Sequence, residues 1–255
     1  MSNSLHFERP GLALPGSARV VAVPSVDDSL GLKLLPFVLS LIAGSLDVTG
    51  FLGLGGLFTA HITGNVVVLA ARLLANEPAL MSYVIAVPVF MAMLVLTRLF
   101  VAALDRIGVA SLLPLLSLQS LFLLVTLGIC LAAGLQADPH GRALTWAGML
   151  AVSGMAVQNA LVRVSLAGAP STAVMTTNIT VFTMDLGQIW FGRDLAGRAK
   201  ARDRARRTWP AIAGFLLGCA VAAMCEPAFG LAGLAIPILL SFAAISLALT
   251  GRTPC

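Results

Sequence analysis

The sequence predicts an all-α polytopic membrane protein with about six spanning helices, two broken or re-entrant segments and an internal duplication. Hydrophobic residues make up 58% of the 255-residue chain and charged residues only 11%, whereas soluble domains carry about 25% charged residues. The apolar runs approach the ~20 residues that cross a bilayer as a helix, and the short alternating segments of a transmembrane barrel do not occur. A polar motif that occurs twice, at matching places in two series of apolar runs, indicates the duplication.

Eight apolar segments follow a polar start. Residues 1–33 contain Pro10, Pro15 and Pro24 and lack the apolar core and cleavage site of a secretory signal, so we expect them to form a cytoplasmic tail. The segments, lettered in chain order, are A 34–54, B 57–75, C 81–104, D 109–134, E 143–165, F 171–192, G 209–225 and H 229–249. All except B and F have the length and apolarity of membrane helices. B and F each open with a polar third, which makes them the candidates for broken or re-entrant segments.

Segments B and F carry the repeated motif. Segment B contains FTAHITGNVVVLAARL from Phe58, and segment F contains STAVMTTNITVFTMDL from Ser171, with six identities in sixteen positions. Most of these identities fall in the polar part of the motif. We therefore expect a single membrane domain, 34–250, built from the repeats 34–134 and 143–249, as in many secondary transporters.

The basic residues bear on the topology. Residues 193–207 include seven basic and two acidic residues, and such a run beside a membrane span is typical of a cytoplasmic loop that contacts anionic lipid rather than nucleic acid. With eight spans the repeats would run parallel, and Arg98 and Arg106 would lie outside. With six spans and re-entrant B and F segments the repeats are inverted, and both arginines join the cytoplasmic side. The arginine distribution favours six spans. Both arrangements place the two termini in the cytoplasm.

A long stretch of segments A and B resembles a known family. The residues AGSLDVTGFLGLGGLFTAHITGNVVVLAARL, with Asp47, Phe51 and the block Phe58 to Asn65, resemble the signature of the bacterial YoaK family of multi-span membrane proteins. The resemblance extends from segment A to segment H and includes QNALVR, Gln158 to Arg163. It implies a bacterial inner-membrane protein with about six spans. It implies no activity, because the domain that defines the family has no known function.

Asp47 is the first candidate site residue. It lies about two-thirds of the way along segment A, and an ionisable group at that depth costs about 2.5–3.5 kcal/mol on insertion scales. Such an acid makes coupling to protons or cations physically available, but it could equally bind a helix terminus and hold the packing together. Gln158 and Asn159 occupy the corresponding place in segment E, which would make a shared site asymmetric.

His61, Asn65 and Arg72 form one stripe of segment B if that segment is a continuous helix. The matching positions in segment F are Val174, Asn178 and Asp185. Two hypotheses remain open for Arg72: it forms an ion pair with Asp185 across the two repeats, or it extends to the membrane interface.

Thr63–Asn65 and Thr176–Asn178 are candidate helix breaks. Thr and Asn can satisfy backbone groups that an unwound turn leaves free, and breaks at matched positions point to a binding site near the membrane centre. We expect the two asparagines to face each other there, with Asp47 and Gln158 flanking the same cavity. A packing role is the alternative, because small and polar residues also hold membrane helices together.

These residues favour a secondary transporter or permease for a small polar solute, with proton coupling available through Asp47. An intramembrane enzyme with His61 and Asp47 as an acid–base pair, or a scaffold that recruits a partner through the basic loop, are the alternatives. The chain contains no Walker loop and no HExxH sequence, and we expect neither a cofactor nor a metal. Gly214 and Gly218 form a GxxxG pattern that suits close helix packing or a homodimer.

Overall fold

The fold is all-helical. The computed structural model describes residues 29–76, 81–134, 138 and 141–251, and these residues form no strand. The predicted tail 1–33 lies outside the described residues except for its last five. The helices are α1 Leu30–Gly53, α2 Ile62–Leu74, α3 Met81–Arg106, α4 Leu112–Ala133, α5 Arg142–Ser165, α6 Met175–Phe191, α7 Leu195–Phe229, a short 3-10 helix Gly230–Leu234, and α8 Ala235–Thr250.

Five helical runs in the described part of the chain are long and apolar enough to cross a membrane: α1, α3, α4, α5 and the run from Leu195 to Thr250. The last run has 56 residues, about 84 Å of helix against a hydrocarbon core of ~30 Å. It is divided at Gly230, whose φ is 49°, so α7 and α8 form two separate spans. The prediction of an all-α polytopic membrane protein is confirmed.

The two repeats pack as an inverted pair. Gln158 of α5 donates to the carbonyl of Leu39 of α1 at 2.9 Å, and Gly148 of α5 lies against Leu57, just beyond the end of α1. Residue numbers therefore rise along α1 while they fall along α5, so the two helices are antiparallel. Helix α1 packs on α7 and α8 of the second repeat, and α5 packs on α3 and α4 of the first. Each repeat thus buries its first helix against the last two helices of the other.

Helices α2 and α6 are re-entrant. They contain 13 and 17 residues, and the turns that precede them identify them, since length alone does not separate α6 from α8 with its 16 residues. The backbone before α2 bonds to Asp47, six residues before the end of α1, so the chain turns back after α1 and α2 then runs outward. Tyr83, near the start of α3, donates to the carbonyl of Gly55, so α3 begins on the side where α1 ended. The segment before α6 turns back in the same way to reach Gln158.

The described ends of the chain and the basic segment share one face. Gly251, after α8, lies against Ser29, before α1. Lys33 of α1 lines a pocket together with Arg206 and Arg207 of α7. We call this side of the molecule the basic face and the other side the opposite face.

The basic segment 193–207 is helical, and the prediction of a loop there was wrong. Helix α7 begins at Leu195, and the Asp194 carboxylate accepts hydrogen bonds from the backbone N–H groups of Ala196 at 3.1 Å and Gly197 at 2.8 Å. This N-cap precedes a run dominated by Ala, Arg and Lys, which are strong helix formers. The basic residues therefore extend the membrane helix instead of connecting two helices.

Gly214 and Gly218 pack inside the molecule. A Cβ atom on Gly214 would overlap the carbonyl of Phe37, and one on Gly218 would overlap the carbonyl of Leu41. Gly44 of α1 meets Phe215 of α7 in the same close way. The GxxxG pattern thus brings α1 and α7 into backbone contact. Of the two expectations for this pattern, close helix packing is the one these glycines serve, and α1 occupies the face that a second copy would need.

Candidate functional site

Asp47 holds the start of the first re-entrant helix. Its Oδ1 atom accepts hydrogen bonds from the backbone N–H groups of Thr59 at 2.8 Å and Ala60 at 2.6 Å, and from the Thr59 hydroxyl at 3.3 Å. The side chain is 3% exposed. The N–H groups that precede a helix have no partner within that helix, and a carboxylate there also interacts favourably with the helix dipole. A negative charge deep in the bundle is thereby matched with backbone donors.

His61 is the second partner of Asp47. Its Nδ1 atom lies 2.5 Å from Oδ2 of Asp47, and its ring packs edge-on against Phe215 at 5.1 Å between centroids. Within the described residues its Nε2 atom makes no hydrogen bond, and the side chain is 34% exposed. An imidazole held at Nδ1 by a carboxylate, with Nε2 open, can accept or donate a proton at Nε2.

Asn65 and Asn178 make the same contact in the two repeats. The Asn65 side chain donates to the carbonyl of Phe58 at 2.7 Å and accepts from its N–H at 2.8 Å. The Asn178 side chain donates to the carbonyl of Ser171 at 2.5 Å, and Ser171 is the counterpart of Phe58. Both asparagines are buried and point at their own preceding segments. The repeated Asn therefore fixes each re-entrant turn, which is the packing alternative.

Gln158 lies in a buried amide network. It donates to the Leu39 carbonyl at 2.9 Å and to the Thr172 hydroxyl at 3.0 Å, and its carbonyl accepts from Gln119 at 2.7 Å. Thr172 is the counterpart of Thr59, so Gln158 supports the second re-entrant turn as Asp47 supports the first. Within the described residues, Oε1 of Gln119 and Oγ of Ser40 are buried without a hydrogen-bond partner.

One cavity lies between the tips of α2 and α6. Its volume is about 580 Å³, and it opens beside the C-terminal halves of α3 and α5. Its polar lining comes from His61 and Thr63 at the tip of α2, Thr176 at the tip of α6, Asn159, Arg98 and Arg163. We call it the arginine cavity. Four predicted site residues meet there, namely His61, Thr63, Asn159 and Thr176.

A second cavity lies at the corresponding place in the other half of the molecule. It measures about 540 Å³, and its lining includes Asp47, His61, Phe51, Phe58 and Phe215. We call it the aromatic cavity. Gln158 is not part of its lining, so Asp47 and Gln158 do not flank it together. His61 lines both cavities, and the Asp47–His61 pair therefore lies between them.

The two cavities are equivalent under the repeat. Residues 47, 48, 51 and 52 of α1 line the aromatic cavity, and residues 159, 160, 163 and 164 of α5, at the same spacing, line the arginine cavity. Residues 215, 219 and 223 of α7 likewise match residues 90, 94 and 98 of α3. By this spacing Phe51 corresponds to Arg163 and Ala223 to Arg98, whereas the contacts of the re-entrant turns pair Asp47 with Gln158, one residue out of this register. The fold has kept two cavities, and their chemistry has diverged.

The expected Arg72–Asp185 ion pair was wrong. Asp185 is 3% exposed and pairs with Arg204 of α7, whose Nε atom lies 3.1 Å from Oδ1. The reason is the long α7 helix, which packs along α6 and brings its basic part to Asp185. The Arg72 guanidinium lies 5.4 Å from the centre of the Tyr83 ring on the opposite face, in line with the interfacial alternative.

Sequence reasoning missed Arg98 and Arg163 as site residues. Both were considered only as indicators of topology or as part of a motif, because an arginine near a helix end is usually a surface residue. A signal was present for Arg98, which lies eight residues before the end of α3, but not for Arg163, which lies in the last turn of α5. Recognising that α3 and α5 bring them together required the packing of the two repeats.

Comparison with known proteins places the chain in a family. Residues 35–247 match the family model described as "Protein of unknown function (DUF1275)". No curated protein and no solved structure matches the chain. The matched region includes α2, α6 and all the residues of both cavities, and it confirms the resemblance noted for segments A and B. The chain is therefore a member of the DUF1275 family of membrane proteins, whose function is unknown.

Proposed function

We propose that the protein is a secondary transporter or permease for a small polar solute, which binds in the arginine cavity. One observation carries the proposal: the tips of two re-entrant helices, one from each inverted repeat, line a single cavity in the middle of a membrane domain. Inverted repeats with interrupted helices at the membrane centre are the general architecture of secondary transporters. Irregular backbone at membrane depth is tolerated where it lines a cavity or is buried in protein.

The paired cavities support alternating access. The arginine cavity lies toward the basic face and the aromatic cavity toward the opposite face, with His61 in the lining of both. A rearrangement that closes one cavity and opens the other would pass a solute by His61. The Asp47–His61 pair gives this step a group that can carry a proton, so coupling to a proton gradient is part of the proposal.

The test is solute flux into liposomes that contain the purified protein. Stopped-flow light scattering reports swelling after mixing with glycerol, urea, sodium acetate or disodium succinate. We expect accelerated entry of at least one of these solutes. Thr176→Leu, which fills the cavity beside the tip of α6, should reduce that entry at least about tenfold, since a 1 Å misfit at a binding site costs about 10²-fold.

Thr180→Leu is the matched control, because Thr180 lies one turn further along α6 and is exposed outside the cavity lining. It should keep the wild-type flux. If all four solutes enter protein-containing and empty liposomes at equal rates, or if both variants behave alike, the proposed site is wrong. Asp47→Asn should remove any acceleration by an imposed proton gradient.

A second candidate function is an intramembrane enzyme that acts on a lipidic substrate. The observation in its favour is the 2.5 Å contact between Nδ1 of His61 and Asp47, which leaves Nε2 available as a general base in a side chain that lines both cavities. The test is incubation of the reconstituted protein with radiolabelled phospholipid, followed by thin-layer chromatography. Product formation that His61→Gln removes would favour the enzyme, and unchanged lipid would exclude it for that substrate.

We also propose that the basic face is the cytoplasmic side of a bacterial inner membrane and contacts anionic lipid there. Lys33 and Arg206 line a pocket of about 760 Å³ together with Trp209 and Phe37. Aromatic rings are enriched at membrane interfaces, and clustered basic side chains attract anionic headgroups. The concentration of basic residues on α7 supports this orientation.

A further inference from the structure

The arginine cavity holds two basic side chains and no acidic one. Arg98 of α3 and Arg163 of α5 both line it, and its lining contains neither Asp nor Glu. Within the described residues, neither guanidinium is in an ion pair. Arg98 lies eight residues before the end of α3, and a charged group at such a depth usually faces a partner or an aqueous cavity. Arg163 lies in the last turn of α5, toward the basic face.

The tip of α6 adds positive potential to the same space, whereas the tip of α2 is already matched by the Asp47 carboxylate. Helix α2 starts at Ile62 and α6 at Met175, and no side chain caps the first turn from the N-cap position of either helix. The first N–H groups of a helix lack partners within it, and the macrodipole gives that end a partial positive charge. The hydroxyl groups of Thr63 and Thr176 lie beside these N–H groups in the cavity lining.

Both arginine residues are exposed, so their guanidinium groups are open to a solute that enters the cavity. The aromatic cavity has no arginine in its lining, so a cavity of similar size forms in this fold without one. The arginines therefore set the chemistry of the arginine cavity and are not required for its shape.

We infer that the solute is a small oxyanion, a carboxylate or a phosphate, held between Arg98 and Arg163, with the tips of α2 and α6 on its other side. The inference rests on the proposed function for transport but not for binding. The planar guanidinium group donates two parallel hydrogen bonds that match a carboxylate or phosphate oxygen pair. Asn159 and the two threonines supply uncharged hydrogen-bond donors. The arginines therefore balance the negative charge of the anion.

Binding is tested separately from flux. Isothermal titration of the purified protein in a neutral detergent uses sodium acetate, disodium succinate and sodium phosphate, with acetamide and succinamide as uncharged counterparts, at constant ionic strength. We expect at least one anion to bind while its amide does not. Arg98→Gln and Arg163→Gln should each weaken that binding roughly 10- to 100-fold, as the loss of a charge-assisted hydrogen bond does.

Arg106→Gln is the matched control, because Arg106 ends the same helix as Arg98 and lies outside the cavity lining. It should leave the affinity unchanged. An anion that binds but does not cross the membrane supports the inference and contradicts the proposed transport. Amides that bind as tightly as the anions, or glutamine variants that bind as the wild type does, overturn the inference.

The same chemistry would also fit a lipid phosphate. Flux and binding are therefore measured with phosphatidylcholine alone and with added phosphatidylglycerol. Unchanged anion affinity in both assigns the arginines to a soluble anion. If added phosphatidylglycerol abolishes anion binding to the wild-type protein, and neither glutamine variant regains that binding, a lipid headgroup occupies the arginines. This result would overturn the inference.

Discussion

Replacement of Asp47 by Ala tests whether this acid anchors the first re-entrant helix. The carboxylate accepts two short hydrogen bonds from the backbone of Thr59 and Ala60, and it is almost fully buried, so solvent does not take over its role. A hydrogen bond to a charged group contributes about 1.5–3 kcal/mol. Loss of both should lower the free energy of unfolding by ~3–6 kcal/mol. That is a large part of the ~5–15 kcal/mol that holds a typical domain together.

Asp47→Asn separates the charge from the hydrogen bonds. Asparagine keeps an acceptor oxygen for the backbone of Thr59 and Ala60 but removes the charge and the carboxylate that faces His61. We expect about half of the destabilisation of Asp47→Ala, ~1.5–3 kcal/mol, since neutral hydrogen bonds are roughly half as strong as charge-assisted ones. Asp105→Ala is the control, because Asp105 is exposed near the end of α3. It should stay within ~0.5 kcal/mol of the wild type.

The assay is equilibrium unfolding of the purified protein in mixed micelles with increasing dodecyl sulfate, followed by far-ultraviolet circular dichroism. The reasoning is refuted if Asp47→Ala unfolds within ~1 kcal/mol of Asp105→Ala. The re-entrant turn would then be held by other contacts, and Asp47 would be free for a purely functional role. If Asp47→Asn is stable but loses proton-driven flux, the same residue serves both structure and transport.

Three further predictions follow from the packing and the faces. Asn65→Ala should lower the free energy of unfolding more than Asn178→Ala in the same micelle assay, ~2–3 against ~1 kcal/mol, because it loses two backbone hydrogen bonds instead of one; equal losses would contradict this. Gly218→Ala should destabilise by ~1–3 kcal/mol through overpacking, whereas Gly128→Ala, which meets open space, should not. A cysteine at Lys200, in a background without other cysteines, should resist an impermeant maleimide in intact cells; rapid labelling would invert the orientation.

The sequence supported the fold class and the location of the two unusual segments. Composition and segment length suffice for spanning helices, because the hydrocarbon core demands apolar runs of a set length. The polar third of segments B and F predicted the positions of α2 and α6. A non-helical stretch before a helix needs polar side chains that form hydrogen bonds with its backbone. The sequence also offered packing as one of two roles for the repeated Asn, but its partner seven residues earlier is seen only in the structure.

Partnerships between repeats could not be predicted in this way. Asp185 pairs with Arg204 and not with Arg72, because α7 is longer than its apolar part and reaches α6 with its basic end. Gly214 and Gly218 face α1 and not a second copy. The sequence pattern is the same for both outcomes, since close packing of small residues does not depend on which helix supplies the other side. Such choices are made by the arrangement of all helices together.

The divergence of the two cavities has a kinetic consequence for a permease. A passive carrier cannot alter the equilibrium distribution of its solute, however different its two mouths are. An anion should meet a cationic mouth, with Arg98 and Arg163, on one side of the membrane and a largely aromatic mouth on the other. Half-saturating concentrations measured from the two sides should therefore differ. The maximal rates must differ by the same factor, so that the maximal rate divided by the half-saturating concentration is the same from both sides. A permease built on these two cavities would therefore saturate at different anion concentrations on its two sides, while the solute gradient alone sets the direction of net flux.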